Sequence, residues 1–153
     1  MGKKTLTEPF MLFEVLATLS AGLFSGAAIY INLGEHPARM QCGTEVALRQ
    51  FAPSYRRATA MQVPLAVTGF LTAMVAWLRG SSIWWLTGGV ILIAVIPFTL
   101  LLIFPTNKKI LNHSFTQDSE SASELLVRWG RLHAVRSILS TLSFVIFVLI
   151  NRS

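Results

Sequence analysis

Apolar residues gather in four blocks along the chain, separated by polar stretches. A helix that crosses a bilayer needs about 20 apolar residues at roughly 1.5 Å rise each. The first block runs from about 10 to 33, the second from about 61 to 78, the third from about 82 to 104 and the fourth from about 132 to 150. The second is short, and it extends backward toward Pro53. The pattern predicts an all-α fold, a four-helix transmembrane bundle with antiparallel spans, forming one domain over residues 1–153. Only Arg79-Gly80-Ser81 separates the second and third spans, which reads as a tight helical hairpin. The other connections, about 34–60 and 105–131, are long and polar. In an alternating four-span chain both long loops share one membrane face, and the termini share the other with the hairpin.

Composition supports a membrane setting. Hydrophobic residues make up 53% of the 153 positions and charged residues 13%, against about 25% charged in ordinary soluble domains. That balance excludes a disordered chain, a disulfide-stapled module and an ordinary soluble enzyme. Cys42 is the single cysteine, so no intrachain disulfide forms. The net charge of +6 comes from basic residues that flank the apolar blocks. No basic run occurs, so the expected partner is membrane lipid, and nucleic acid is not. The loop side carries Arg39, Arg49, Arg56, Arg57, Lys108, Lys109, Arg128 and Arg131, and the other side Lys3, Lys4, Arg79 and Arg152. The positive-inside rule therefore puts the loops in the cytoplasm. Lys3, Lys4 and Ser25-Gly26-Ala27 imitate a signal peptide, but Glu14 falls where its apolar region should be uncharged, so the segment reads as a retained helix.

Gly22 and Gly26 form a small-xxx-small face, and Gly88, Gly89 and Ala94 suit close helix approach in the third span. Trp77, Trp84 and Trp85 bracket the hairpin as an interfacial belt does. Gln117–Ser123 reads as the mobile middle of the second loop. Glu14 is expected near headgroup level, pairing with Arg79 or a terminal lysine.

Candidate chemistry lies on the loop side. Asn32, Glu35, His36 and Arg39 fall on one face if the first helix continues. Pro37 argues for a break at His36 and a restart with the proline in the first turn. Trp129, His133 and Arg136 share a face at the start of the fourth span. Arg136 sits about one turn into the apolar run, where an arginine must snorkel, pair or face the bundle interior. Glu35 is its expected partner by side and depth. Tyr55, Arg56, Arg57 and Gln62 at the entry to the second span, and Pro105, Thr106, Asn107 and Lys108 at the exit of the third, belong to the same face. Four helix ends thus bring polar residues to one side of the bundle, which predicts a polar pocket there.

All three histidines, His36, His113 and His133, are on that side. No pair has the i, i+3 or i, i+4 spacing of helical metal ligands. No cofactor is expected, and a metal or a haem held by these rings is the alternative left open. No Ser-His-Asp arrangement, phosphate-cradling glycine loop or CxxC pair is present.

Several fragments are familiar as an ordered set. They are Ala21-Gly22-Leu23-Phe24-Ser25-Gly26-Ala27, Tyr30-Ile31-Asn32, Glu35-His36-Pro37-Ala38-Arg39, Phe51-Ala52-Pro53-Ser54-Tyr55, Arg57-Ala58, Pro97-Phe98-Thr99, Pro105-Thr106-Asn107, and Trp129 with Leu132-His133 and Arg136. The set resembles the small integral-membrane family named after anthrone oxygenase and covers nearly the whole chain. The resemblance implies a four-helix membrane protein of bacterial inner-membrane type. For a few fungal members it also implies oxidation of an anthrone to an anthraquinone. Most members have no assigned substrate. The function expected is an oxygenase-like or other redox activity on a small apolar aromatic or quinone-like molecule. The alternative is a non-enzymatic lipid- or quinone-binding or structural membrane protein, and a homo-oligomer is compatible with either.

Oxidising an anthrone requires a base, a cation or donor at the enolate oxygen, and an apolar slot for the rings. His133 or His36 fits the base, Arg136 or Arg57 the oxyanion, and Trp129 and Tyr55 the ring surfaces. Asn32, Glu35, Arg39 and Asn107 complete the expected binding residues.

Overall fold

The computed structural model describes residues 8–112 and 119–151. Six α-helices follow one another: α1 (Glu8–Tyr30), α2 (His36–Gln41), α3 (Thr44–Leu78), α4 (Ile83–Phe98), α5 (Phe104–Leu111) and α6 (Ser119–Ile150). One π-turn, Ile31–Glu35, joins α1 to α2, and another, Thr99–Ile103, joins α4 to α5. The result is four long rods, all apolar and long enough to cross a membrane: Met11–Gln41, Thr44–Leu78, Ile83–Leu111 and Glu120–Ile150. Leu19, Leu23, Leu101, Ile138 and Leu149 are exposed on their outer faces. Such surface suits acyl chains and not water. The chain is an integral membrane protein.

The rods extend well beyond the apolar blocks. The stretch expected as a loop over 34–60 is almost entirely helical, with only Cys42 and Gly43 between α2 and α3. Gly43 turns the chain at a φ of 89° and Gly80 does so at 102°, both left-handed values that suit glycine. Likewise α5 reaches Leu111 and α6 begins at Ser119, so Ser119–Ser123 is helical and not a mobile loop. Gln117, Asp118 and His113 lie outside the described residues.

The break expected at His36 is absent, and the reason is the π-turn. Each π-turn ends two residues before a proline, Pro37 in one case and Pro105 in the other. A proline ring collides with the carbonyl four residues earlier, here Leu33 and Leu101, both inside the π-turns. The wider turn carries those carbonyls away while the chain stays helical: His36 N–H bonds to Ile31 O and Phe104 N–H to Thr99 O. Pro53, Pro64 and Pro97 stand inside uninterrupted α-helix.

Contacts between rods descend along one as they rise along the next. Glu14 meets Ser81, in the turn that follows the second rod, and Glu35 meets Ser54 of that rod. Ser25 meets Thr141 and Asn32 meets His133, across the first and fourth. Small residues set the separation. Gly88 and Gly69 admit Phe147 and Leu92 so closely that a Cβ would fall 2.5 and 2.6 Å from them. Gly22 lies against Phe144, but Gly26 faces open space and takes no part in packing. Trp85 is not a belt residue, because it is buried and stacked on Phe147. Glu14 accepts a hydrogen bond from Ser81, while Arg79 lies over the Phe13 ring.

Two apolar clusters fill the bundle. One, toward the Arg79 hairpin, includes Phe24, Leu92, Val95 and Phe147. The other, toward Gly43, includes Ile31, Phe51, Ile103, Leu126 and Trp129. Between them lies a polar layer.

Candidate functional site

The polar layer is built around Asn32, whose place on the π-turn aims it at α6. Its Nδ2 donates to Gly130 O at 3.1 Å, so its Oδ1 faces the other way as an acceptor. That oxygen lies 2.7 Å from His133 Nδ1 and 2.5 Å from Ser137 Oγ, which approaches Ala28 O at 3.0 Å. An acceptor at Nδ1 requires a proton there. In the neutral ring this leaves the lone pair on Nε2.

The ring of His133 also lies against Trp129, with centroids 4.8 Å apart. On its other contacts the indole meets His36 at 5.2 Å and the edge of Phe51 at 5.3 Å. His36 fits because residue 130 is glycine: a Cβ there would come within 2.6 Å of His36 Nε2.

Glu35 points at α3, and not at Arg136 as expected. It accepts hydrogen bonds from Arg39, Gln50 and Ser54. Arg39 is four residues along and buried, and its guanidinium also lies 5.7 Å from the centroids of Phe51 and Trp129. With Glu35 held there, Arg136 finds a different partner. It donates to Gln62 Oε1 and lies 5.1 Å over the Phe24 ring. Among the described residues no carboxylate lies within ion-pairing distance of Arg136. A neutral amide and a ring face thus hold a cation within a helix long and apolar enough to cross a membrane.

Three cavities adjoin this layer. A groove of about 550 Å³ between the first two rods is lined by Ala27, Tyr30, Ile31, Glu35, Gln50, Pro53, Ser54, Arg57, Ala58 and Met61. A central cavity of about 20 Å³ is bordered by Arg39, Tyr55, Thr59, Gln62, Asn107, Trp129, His133 and Arg136, with Ile31, Ser54 and Ala58 shared with the groove. A third cavity, about 80 Å³, leads outward between the second and third rods past Val63, Thr99 and Leu100.

The expected residues therefore divide. Arg39, Tyr55, Asn107, Trp129, His133 and Arg136 converge on the central cavity. Glu35 and Arg57 line the groove instead. Asn32 stands behind His133, and His36 behind Trp129. Gln62, Gln50, Ser54, Thr59 and Ser137 also belong to this assembly. Gln62 carried a signal, being a polar side chain among apolar neighbours. Ser137 also did, at one turn beyond His133.

Eight buried side-chain polar atoms lack a hydrogen-bond partner among the described residues, and all are at this end of the bundle. Six of them belong to residues lining the central cavity: Arg39 Nε, Gln62 Nε2, both amide atoms of Asn107, Trp129 Nε1 and Arg136 Nε. An unsatisfied buried polar atom costs about 1–3 kcal/mol. No other part of the described bundle carries such a concentration.

The family model for anthrone oxygenase matches residues 51–146, which carry α4, α5, most of α3 and α6, and every lining residue of the central cavity except Ile31 and Arg39. Anthrone oxygenase tpcL of Aspergillus fumigatus is 27% identical over 138 residues, covering 84% of this chain and 86% of that protein. Anthrone oxygenase ptaC of Pestalotiopsis fici is 30% identical over 104 residues, covering 59% of this chain and 74% of that protein. No solved structure matches. The chain belongs to the anthrone oxygenase family.

Proposed function

We propose that the protein is a membrane oxygenase that converts a ring methylene of a small apolar aromatic, of the anthrone type, into a ketone using dioxygen. The observation that carries this reading is the concentration of unpartnered polar atoms around His133 and Arg136, in a family whose relatives are named for this oxidation. The groove has the 300–1,000 Å³ size of small-molecule sites. The central cavity holds about one water-sized molecule. The ring compound accordingly sits in the groove and reaches the centre over Ile31, Ser54 and Ala58.

His133 is the base. Its Nδ1–H is fixed by Asn32, and Nε2 takes a proton from the methylene. The carbanion is delocalised into the ring system and gives electrons to dioxygen, forming a C–O bond and a hydroperoxide. Loss of the second methylene proton expels water as the O–O bond breaks, leaving a carbonyl. One dioxygen thus yields one ketone and one water, with no external reductant. Trp129 and Tyr55 supply aromatic surface. The loop end, with its excess of arginine and lysine, faces the cytoplasm of a bacterial inner membrane in this reading.

Turnover of anthrone by His133→Gln in lipid nanodiscs tests the assignment. The variant should lose about 10²-fold or more, the scale of acid–base catalysis, while folding as the wild type does. Undiminished turnover sinks the role of His133, and a loss confined to His36→Gln transfers the role to that ring. Copurification of acyl lipid in the groove, with no oxidation of anthrone by the wild type, favours a lipid-binding protein instead.

A further inference from the structure

Two cavities share lining residues with the central cavity, and the smaller of them is not needed for the ring compound. At its inner end the 80 Å³ cavity shares Tyr55, Thr59, Gln62 and Arg136 with the central cavity. At its outer end stand Val63 and Leu100, both exposed on the lipid-facing surface. Val95, Ile96 and Phe24 form its apolar walls. The π-turn at Thr99–Ile103 borders it, and Thr99 Oγ1 bonds back to Val95 O at 2.7 Å, so that hydroxyl is occupied within its own helix. The space is too small for a fused ring system and ample for a diatomic molecule. Dioxygen is apolar and dissolves better in hydrocarbon than in water, so a bilayer-facing opening draws on the richer source.

We infer that this cavity is the entrance for dioxygen from the bilayer, and that Arg136 at its inner end serves the oxygen and not the ring. The inference rests on the oxygenase reading. Electron transfer from the carbanion to dioxygen creates a ring radical and superoxide, which then combine to form the C–O bond of the hydroperoxide. The negative charge appears on oxygen in a dry site. A fixed cation there stabilises it far more than water-exposed charge could. Arg136 meets this need because no carboxylate neutralises it: its contacts are the Gln62 amide oxygen and the Phe24 ring face. Its Nε–H has no partner among the described residues and is available to a reduced oxygen.

Two measurements test this. Xenon, an apolar stand-in for dioxygen, should occupy the cavity beside Arg136 in the pressurised wild-type protein and be excluded by Val63→Trp. With anthrone as substrate, Val63→Trp should raise the KM for dioxygen by about 10-fold, leaving the KM for anthrone and the kcat at saturating oxygen unchanged. Leu71→Trp, on an exposed position outside the cavities, should change none of these. Xenon binding elsewhere only, or an unaltered oxygen KM in Val63→Trp, overturns the entrance while leaving the oxygenase reading intact. Absence of oxygen uptake by the wild type with anthrone overturns both.

Discussion

Asn32 offers the sharpest perturbation of the polar layer, because one side chain joins three groups on α6. Asn32→Leu removes the bonds to Gly130 O, His133 Nδ1 and Ser137 Oγ. Interhelical hydrogen bonds within membranes average about 0.6 kcal/mol each, so three give about 2 kcal/mol. Buried groups left unsatisfied cost about 1–3 kcal/mol apiece. Ser137 keeps Ala28 O and His133 O as acceptors, so it adds little. The Gly130 carbonyl keeps its bond to the amide four residues on within α6, so of the three groups the His133 N–H is the one left without relief in the described structure. The expected loss is about 2–4 kcal/mol on these values. A double-mutant cycle with His133→Leu separates the shared part. Removing both partners together should recover about 1–2 kcal/mol relative to the sum of the single losses. Unfolding free energies measured by steric trapping in bicelles provide the numbers. Strict additivity of the two changes would refute the assigned contact and the tautomer derived from it.

Arg39→Ala should destabilise near the low end of about 3–5 kcal/mol, since Glu35 is 20% exposed and keeps Gln50 and Ser54. Arg49→Ala, in an ion pair whose side chains are 65% exposed, should cost under about 1 kcal/mol; equal losses would contradict the burial ranking. Gly88→Ala and Gly130→Ala should each cost about 1–3 kcal/mol through collision with Phe147 and His36. Gly26→Ala should be neutral or slightly stabilising, and a matching loss there would show that packing is not the cause. A membrane-impermeant maleimide should label Cys42, which is exposed, from one side of the membrane. It should label Asn151→Cys, in a Cys42→Ser background, from the other. Labelling of both from the same side rejects four spans.

Hydropathy revealed the four spans because acyl chains demand apolar surface over a fixed thickness. It gave no account of where the helices end, since residues 44–60 and 119–131 are helical although rich in polar side chains. The π-turns were also hidden. Pro37 marks a disturbance, and helical spacing alone cannot say whether the chain breaks or widens around it. That ambiguity misplaced Glu35: Asn32 and Glu35 were expected on one face, yet they address α6 and α3 respectively. The i, i+4 relation of Glu35 to Arg39 was visible in the sequence and is the pair that forms. Trp129, His133 and Arg136 do converge on one cavity, because ordinary α-helix over that stretch preserves their spacing. Gln62 as the partner of Arg136 depends on how two rods meet 74 residues apart, which no local pattern encodes.

The central claim is oxygenation of a ring methylene at this layer, and isotope tracing addresses it directly. Wild-type protein in native-lipid nanodiscs, given anthrone under ¹⁸O₂, should form anthraquinone carrying one ¹⁸O per molecule, with the second labelled atom released as water, and His133→Gln should form little above the uncatalysed background. Product at only the background rate with the wild type, or a new carbonyl oxygen drawn from water, would contradict the account.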